Sequence, residues 1–144
     1  IEKRIRGIGI RQELTDEWKN RGVNESKEYS ILTDEIAKAT FGVSIKEHKK
    51  IKSLDPKFEN QNLRDHMTDL ELIFNMLGEA STTKVARAKD AKGFTENRDA
   101  ARIGGKIAGN ARKELEEESG ENIISSENYL PEKETIKLKG KKKT

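Results

Sequence analysis

The chain has 144 residues, with 29 lysines and arginines against 26 acidic residues, a hydrophobic fraction of 32% and no cysteine. No apolar run approaches the ~20 residues of a membrane-spanning helix, and β-branched and aromatic residues are too few to favour a β-sandwich or barrel. The lack of cysteine excludes disulfides, a thiol nucleophile and cysteine-ligated zinc,. The two histidines, His48 and His66, cannot build a histidine-rich metal site. We expect neither a metal nor a cofactor.

The N-terminal part of the chain predicts three helices separated by glycine-containing turns. They are expected over 1–21, 26–39 and 44–54, and Ser44 has the side chain to cap the third,. The third helix is rich in lysine, and Asp55-Pro56 breaks the pattern after it,.

Two long helices dominate the C-terminal part. Apolar residues at three- and four-residue steps predict one continuous helix over 62–88, and a second is expected over 95–119, where Gly120 stops it,. The sequence therefore predicts an all-α bundle of about five to six helices, with two long helices at the C-terminal end. We expect the helical domain to span 1–130 and a flexible basic tail to follow over 131–144.

The last long helix carries small residues where a buried face usually carries large ones. They recur every four positions in two neighbouring rows, which are Ala100, Gly104 and Ala108, and Ala101, Gly105 and Gly109. Such rows allow another helix to approach closely. The second helix can belong to the same chain or to another copy, so the pattern leaves intramolecular packing and a homodimer open.

The lysine-rich third helix offers a candidate binding site. Residues 33–52 have the order of a helix-turn-helix, in which 44–52 would be the recognition helix,. The candidate contact residues, including two from the long helix, are Lys46, Lys49, Lys50, Lys52, Arg64 and His66. Clustered cations of this kind bind phosphates. The alternative is a pair of packed helices with a solvated lysine face.

Catalysis finds little support in the sequence. Arg64, Asp65 and His66 are adjacent on a helix, so their side chains point about 100° apart and do not converge on one atom. The chain has no glycine-rich phosphate loop, serine elbow or carboxylate dyad,. We therefore expect a non-enzymatic protein.

Several segments resemble the DNA-damage-inducible protein D family, in the order in which the family has them. They are LTDEW (14–18), RGV (21–23), EYSILTDEIAKATFG (28–42), EHKKIKSL (47–54), NLRDHMTDLELIFNMLGEASTT (62–83), GGKIAGNARKELE (104–116) and SSENYL (125–130). The likeness covers nearly the whole chain to Leu130. It corresponds to the region that follows the Bro-N-type, antirepressor-like domain, so the resemblance implies the C-terminal region of a longer protein.

The resemblance also implies a function. It implies a cytoplasmic bacterial protein of the SOS response that binds recombinase or its single-stranded DNA filament and regulates recombination. A second possibility is an antirepressor-like or helix-turn-helix regulator that binds duplex DNA or a repressor. The family has no established catalytic residues, so no catalytic role is carried over to this chain.

Overall fold

The computed structural model describes residues 2–54 and 62–128, which contain six helices and no strand. The helices are α1 (Glu2–Asn20), α2 (Lys27–Phe41), α3 (Ile45–Ile51), α4 (Leu63–His66), α5 (Asp69–Lys89) and α6 (Gly93–Ser119). The predicted all-α fold, with its two longest helices last, is confirmed. The expected tail over 131–144 and the end of the expected domain at Leu130 lie outside the described residues.

The four long helices form an up-down-up-down bundle. Ion pairs from Arg11 to Glu79 and from Arg87 to Glu17 show that α1 and α5 run in the same direction. Helix α6 runs parallel to α2, because Arg102 pairs with Glu35 and Arg112 donates to the Thr40 carbonyl. It runs antiparallel to α5, because Gly104 lies against Thr82 and Ala108 against Gly78. Helix α1 packs on α5, α5 on α6, and α6 on α2.

The apolar core lies between these helices in separate clusters. One joins the N-terminal helices through Leu14, Trp18 and Leu32, all fully buried. A second lies at the opposite end of the bundle, where Phe41 and Leu72 pack with Ile123 of the segment that follows α6. The C-terminal segment is therefore part of the core.

The prediction of one continuous helix over 62–88 is wrong, because the chain leaves the helical conformation at Met67 and Thr68. The hydroxyl of Thr68 accepts a hydrogen bond from the Glu71 amide, and the Glu71 carboxylate accepts one from the Thr68 amide. This reciprocal capping box starts a new helix. In addition, Arg4 of α1 donates to the carbonyls of Arg64 and Met67, which a continuous helix would use internally.

The ends of the last helix follow the sequence more closely. Helix α6 begins at Gly93, two residues before the expected start at Thr95, and ends at Ser119 as expected. Gly120 has a φ of 74°, the left-handed conformation that favours glycine at the end of a helix,.

Candidate partner-binding surface

The short helix α3 is fixed at its first residue by a second capping box. The Ser44 hydroxyl accepts from the Glu47 amide at 3.1 Å, and the Glu47 carboxylate accepts from the Ser44 amide. The Ile45 amide donates to the Asp34 carboxylate of α2 at 2.9 Å. Because these bonds satisfy the free amides at the start of the helix, α3 has a defined position against α2.

The inner side of α3 ends in a buried ionic cluster, which consists of His48, Lys52 and Glu71. Nε2 of His48 lies 3.0 Å from one carboxylate oxygen of Glu71, and Nζ of Lys52 pairs with the other. All three side chains are at most 1% exposed. His48 of α3 and Lys52, the residue that follows α3 as its C-cap, therefore both face one carboxylate on α5,.

The segment after α6 covers this cluster. Nζ of Lys52 donates to the Glu127 carbonyl, and the Ser125 amide donates to Glu71. The Asn128 side chain donates to the Lys52 carbonyl at 3.2 Å, and its oxygen lies 2.9 Å from Nδ1 of His66. These contacts join α3, α4, α5 and the C-terminal segment.

The groups around Glu71 stabilise its carboxylate in the ionised form. Burial acts to raise the pKa of Glu71, but hydrogen bonds from His48, Lys52 and the Thr68 amide favour the carboxylate, and the pKa lies below its usual value,. Glu71 is therefore ionised in the folded protein at neutral pH, as its pairing with Lys52 requires.

Outside this anchor, α3 presents lysines to solvent. Lys46 and Lys50 are exposed, and Lys49 is half-buried. Among residues 2–54 and 62–128, none of these three ammonium groups forms an ion pair. We call Lys46, Lys49 and Lys50 the α3 lysine face. Its charges are available to an anionic partner.

The other predicted contact residues do not belong to this face. The expectation that Lys52 and His66 contact a partner conflicts with their burial, since each is held by the hydrogen bonds described above. Arg64 is also turned inward: its guanidinium donates to both oxygens of the Glu79 carboxylate, at 3.0 and 3.2 Å. Of the six predicted contact residues, only the three of the α3 lysine face remain accessible.

Glu79 holds a second buried charge cluster. Its side chain is 3% exposed and also pairs with Arg11 at 3.2 Å, so that two guanidinium groups face one carboxylate. Burial raises the pKa of Glu79 above its usual value, although Arg64 and Arg11 oppose this effect,. The sequence alone does not single out Glu71 and Glu79. The apolar residues of α5 offer no signal for them, because Leu70, Ile73 and Leu77 are exposed whereas both glutamates are buried.

The two helices of the predicted helix-turn-helix correspond to α2 and α3. In the turn between them Gly42 has a φ of 78°. However, α3 has only seven residues, and His48 and Lys52 on its inner side are unavailable for a groove. The three accessible residues among the predicted contacts are all lysines, which suit phosphates better than base edges, and the exposed Glu47 lies beside them,.

The small residues of α6 lie inside the bundle. A Cβ atom on Gly105 would lie 2.6 Å from Cβ of Ala39 in α2, and one on Gly104 would overlap Thr82 in α5. Ala100, Ala101 and Ala108 are at most 2% exposed. These residues pack against helices of the same chain and leave no surface for a second copy.

Two classes of site are absent from the described residues. Within 2–54 and 62–128, no group of three or more histidine and acidic side chains could hold a metal ion. Across the same ranges, no helix combines the length and the apolar character needed to cross a bilayer.

The fold and the surface define an all-α domain with a basic helix seated on a buried ionic cluster. The family model of the DinD C-terminal domain matches residues 5–137. The chain therefore belongs to the DinD family, the DNA-damage-inducible protein family, through its C-terminal domain. No curated protein and no solved structure matches it.

Proposed function

We propose that this domain is a non-enzymatic regulator of the bacterial SOS response in the cytoplasm, acting by binding recombinase or its single-stranded DNA filament. The observation that carries the proposal is the α3 lysine face. Three ammonium groups that form no ion pair within residues 2–54 and 62–128 lie on a helix that two capping contacts and a buried ionic cluster hold in place. Membership of the DNA-damage-inducible family supports the biological context.

The chemistry of the face favours backbone contact over base recognition. Lysine ammonium groups bind phosphates as point charges and release condensed counterions, so binding weakens as salt rises. Phe41, the aromatic residue that precedes the turn into α3, is 3% exposed and offers no stacking surface. The partner we propose is therefore the repeating phosphate backbone of a filament, together with the recombinase that orders it.

The experiment compares a triple variant with a control of equal charge. Fluorescence anisotropy of a labelled single strand, bare and coated with recombinase, is recorded at about 50 and 200 mM salt. We expect Lys46→Ala/Lys49→Ala/Lys50→Ala to weaken binding and to reduce the salt slope by about 2, since each phosphate contact on a single strand contributes about 0.7.

The control replaces Lys19, Lys84 and Lys89, which are also exposed and unpaired among the described residues. It changes the net charge equally and should leave most of the affinity. Equal losses of affinity in the two triple variants would show that only the net charge matters. This result would refute the assignment of the binding site to α3. A strong preference for one duplex sequence over a scrambled one would favour the helix-turn-helix regulator instead.

A further inference from the structure

A cavity of about 150 Å³ lies between α2, α3, α4 and α5, next to the α3 lysine face. Its walls are largely aliphatic: Ile36, Leu63 and Met67 are at most 7% exposed, and Ile45 is half-buried. A cavity of about this volume with aliphatic walls takes one benzene ring. The space therefore suits a single six-membered ring better than the fused rings of a purine.

Two of the polar side chains that line the cavity are available to a ligand. Within the described part of the chain, the amide of Asn75 forms no hydrogen bond and the ammonium group of Lys49 forms no ion pair. The other ionisable groups of the lining are paired, Arg64 with Glu79 and His48 within the buried ionic cluster. The cavity therefore offers a ligand one free amide and one free cation.

The amide and the cation lie at different depths. Asn75 is one turn before the buried Glu79 on the side of α5 that faces the cavity,. Lys49 is half-buried on α3, and Asn62, which also lines the cavity, is exposed. The inner end therefore presents a group that both donates and accepts hydrogen bonds, whereas the rim carries a positive charge.

We infer that this cavity binds the base of one pyrimidine nucleotide, whose phosphate pairs with Lys49. The inference rests on the proposed function for the source of the nucleotide, a single strand on the α3 lysine face, and a free nucleotide has the same chemistry. Proteins take unstacked bases of single strands into pockets and bind their Watson–Crick edges through hydrogen bonds. The lysines then contact the backbone while the cavity holds one base of the same strand.

Isothermal titration calorimetry of the full chain with deoxythymidine monophosphate tests the site directly. We expect it to bind about tenfold more tightly than inorganic phosphate, because phosphate alone leaves the cavity and the Asn75 amide unused. Deoxyadenosine monophosphate has the same phosphate on a larger base and should bind less tightly than the thymidine nucleotide. Equal affinity for deoxythymidine monophosphate and inorganic phosphate would overturn the inference, and equal affinity for the two nucleotides would overturn the assignment of a pyrimidine.

Two variants test the lining. Asn75→Leu keeps a side chain of similar size but removes the amide, and Ala37→Leu extends a side chain into the cavity from α2. Both should lose the preference for deoxythymidine monophosphate over inorganic phosphate. Asn110→Leu is the matched control, since Asn110 is exposed on α6 and lies outside the lining. Circular dichroism verifies that the helices are retained, and wild-type affinity in both cavity variants would contradict the inference.

Strands with and without bases separate this inference from the proposed function. Fluorescence anisotropy compares a labelled deoxythymidine oligonucleotide with an abasic strand of equal length at about 50 and 200 mM salt. Because both carry the same phosphates, we expect equal salt slopes and tighter binding of the deoxythymidine strand at both salt concentrations. Equal, salt-dependent binding of the two strands would keep the phosphate contacts of α3 and overturn the base site. Binding of deoxythymidine monophosphate without binding of either strand would support the cavity as a site for a free nucleotide and refute the proposed function.

Discussion

Replacing Gly104 with alanine tests the close packing of α5 and α6. A Cβ atom at Gly104 would overlap the amide nitrogen and hydroxyl of Thr82 and would lie 2.6 Å from its Cα. The hydroxyl cannot turn away freely, because it donates to the Gly78 carbonyl at 2.7 Å. The helices must therefore separate, and overpacking of this kind costs about 1–3 kcal/mol. Since the obstacle is backbone, we expect the upper part of this range, reduced by the 0.5–1 kcal/mol that alanine gains over glycine in a helix.

Gly9→Ala is the matched control, since a Cβ at this exposed position of α1 meets nothing within 4 Å. It should stabilise the fold by about 0.5–1 kcal/mol through helix propensity, whereas Gly104→Ala should lose about 2 kcal/mol. Urea unfolding, monitored by circular dichroism, should therefore separate the two midpoints by about 1 M or more. A Gly104→Ala midpoint at or above that of the wild type would refute the argument that α5 and α6 need a glycine here.

Two further predictions concern Thr68 and Glu71. Thr68→Ala removes the capping box that starts α5 and should cost about 1 kcal/mol in urea unfolding, whereas Thr68→Ser keeps the hydroxyl and should cost much less,; equal losses would assign the effect to the methyl group. Glu71→Gln leaves Lys52 buried without a counter-charge and should cost about 3–5 kcal/mol at pH 7,. The folded-state pKa of Glu71 lies below its ordinary value of 4.5, so the wild type loses this contribution as the pH falls from about 5 through the folded pKa. If the free energy of unfolding of Glu71→Gln fell as steeply at acid pH as that of the wild type, groups other than Glu71 would be responsible for the loss of stability.

The helices were predictable because their apolar spacing and their stops are local. The break at Met67 was not found, since apolar residues at 63, 67 and 70 continue the helical spacing across it. The signal was nevertheless present: Thr68 and Glu71 form the threonine-x-x-glutamate pattern of a capping box. A local hydrogen-bonding preference therefore overrides the hydrophobic period at this point.

The candidate site was predictable only in part. The sequence locates a lysine-rich helix, but it does not say which lysines point inward. The four-residue spacing places His48 and Lys52 on the same side of the helix. A side that packs against the rest of the protein usually carries apolar residues, so the sequence does not indicate that this one is buried. Burial of Lys52 depends on Glu71, which lies on a different helix and reaches the lysine only through tertiary packing. Only the three-dimensional structure therefore distinguishes the buried Lys52 from the exposed Lys50.

The buried cluster of His48, Lys52 and Glu71 determines the orientation of α3 more than it contributes to the stability of the fold. A buried ion pair gains little over well-packed apolar residues, because desolvation offsets most of the attraction. Glu71, however, gives one oxygen to His48 and the other to Lys52, one turn of α3 apart. An apolar contact would allow the short helix to rotate, whereas these two bonds are satisfied in one rotation only. That rotation points Lys46 and Lys50 to solvent, so the charges inside the bundle determine which charges a partner meets.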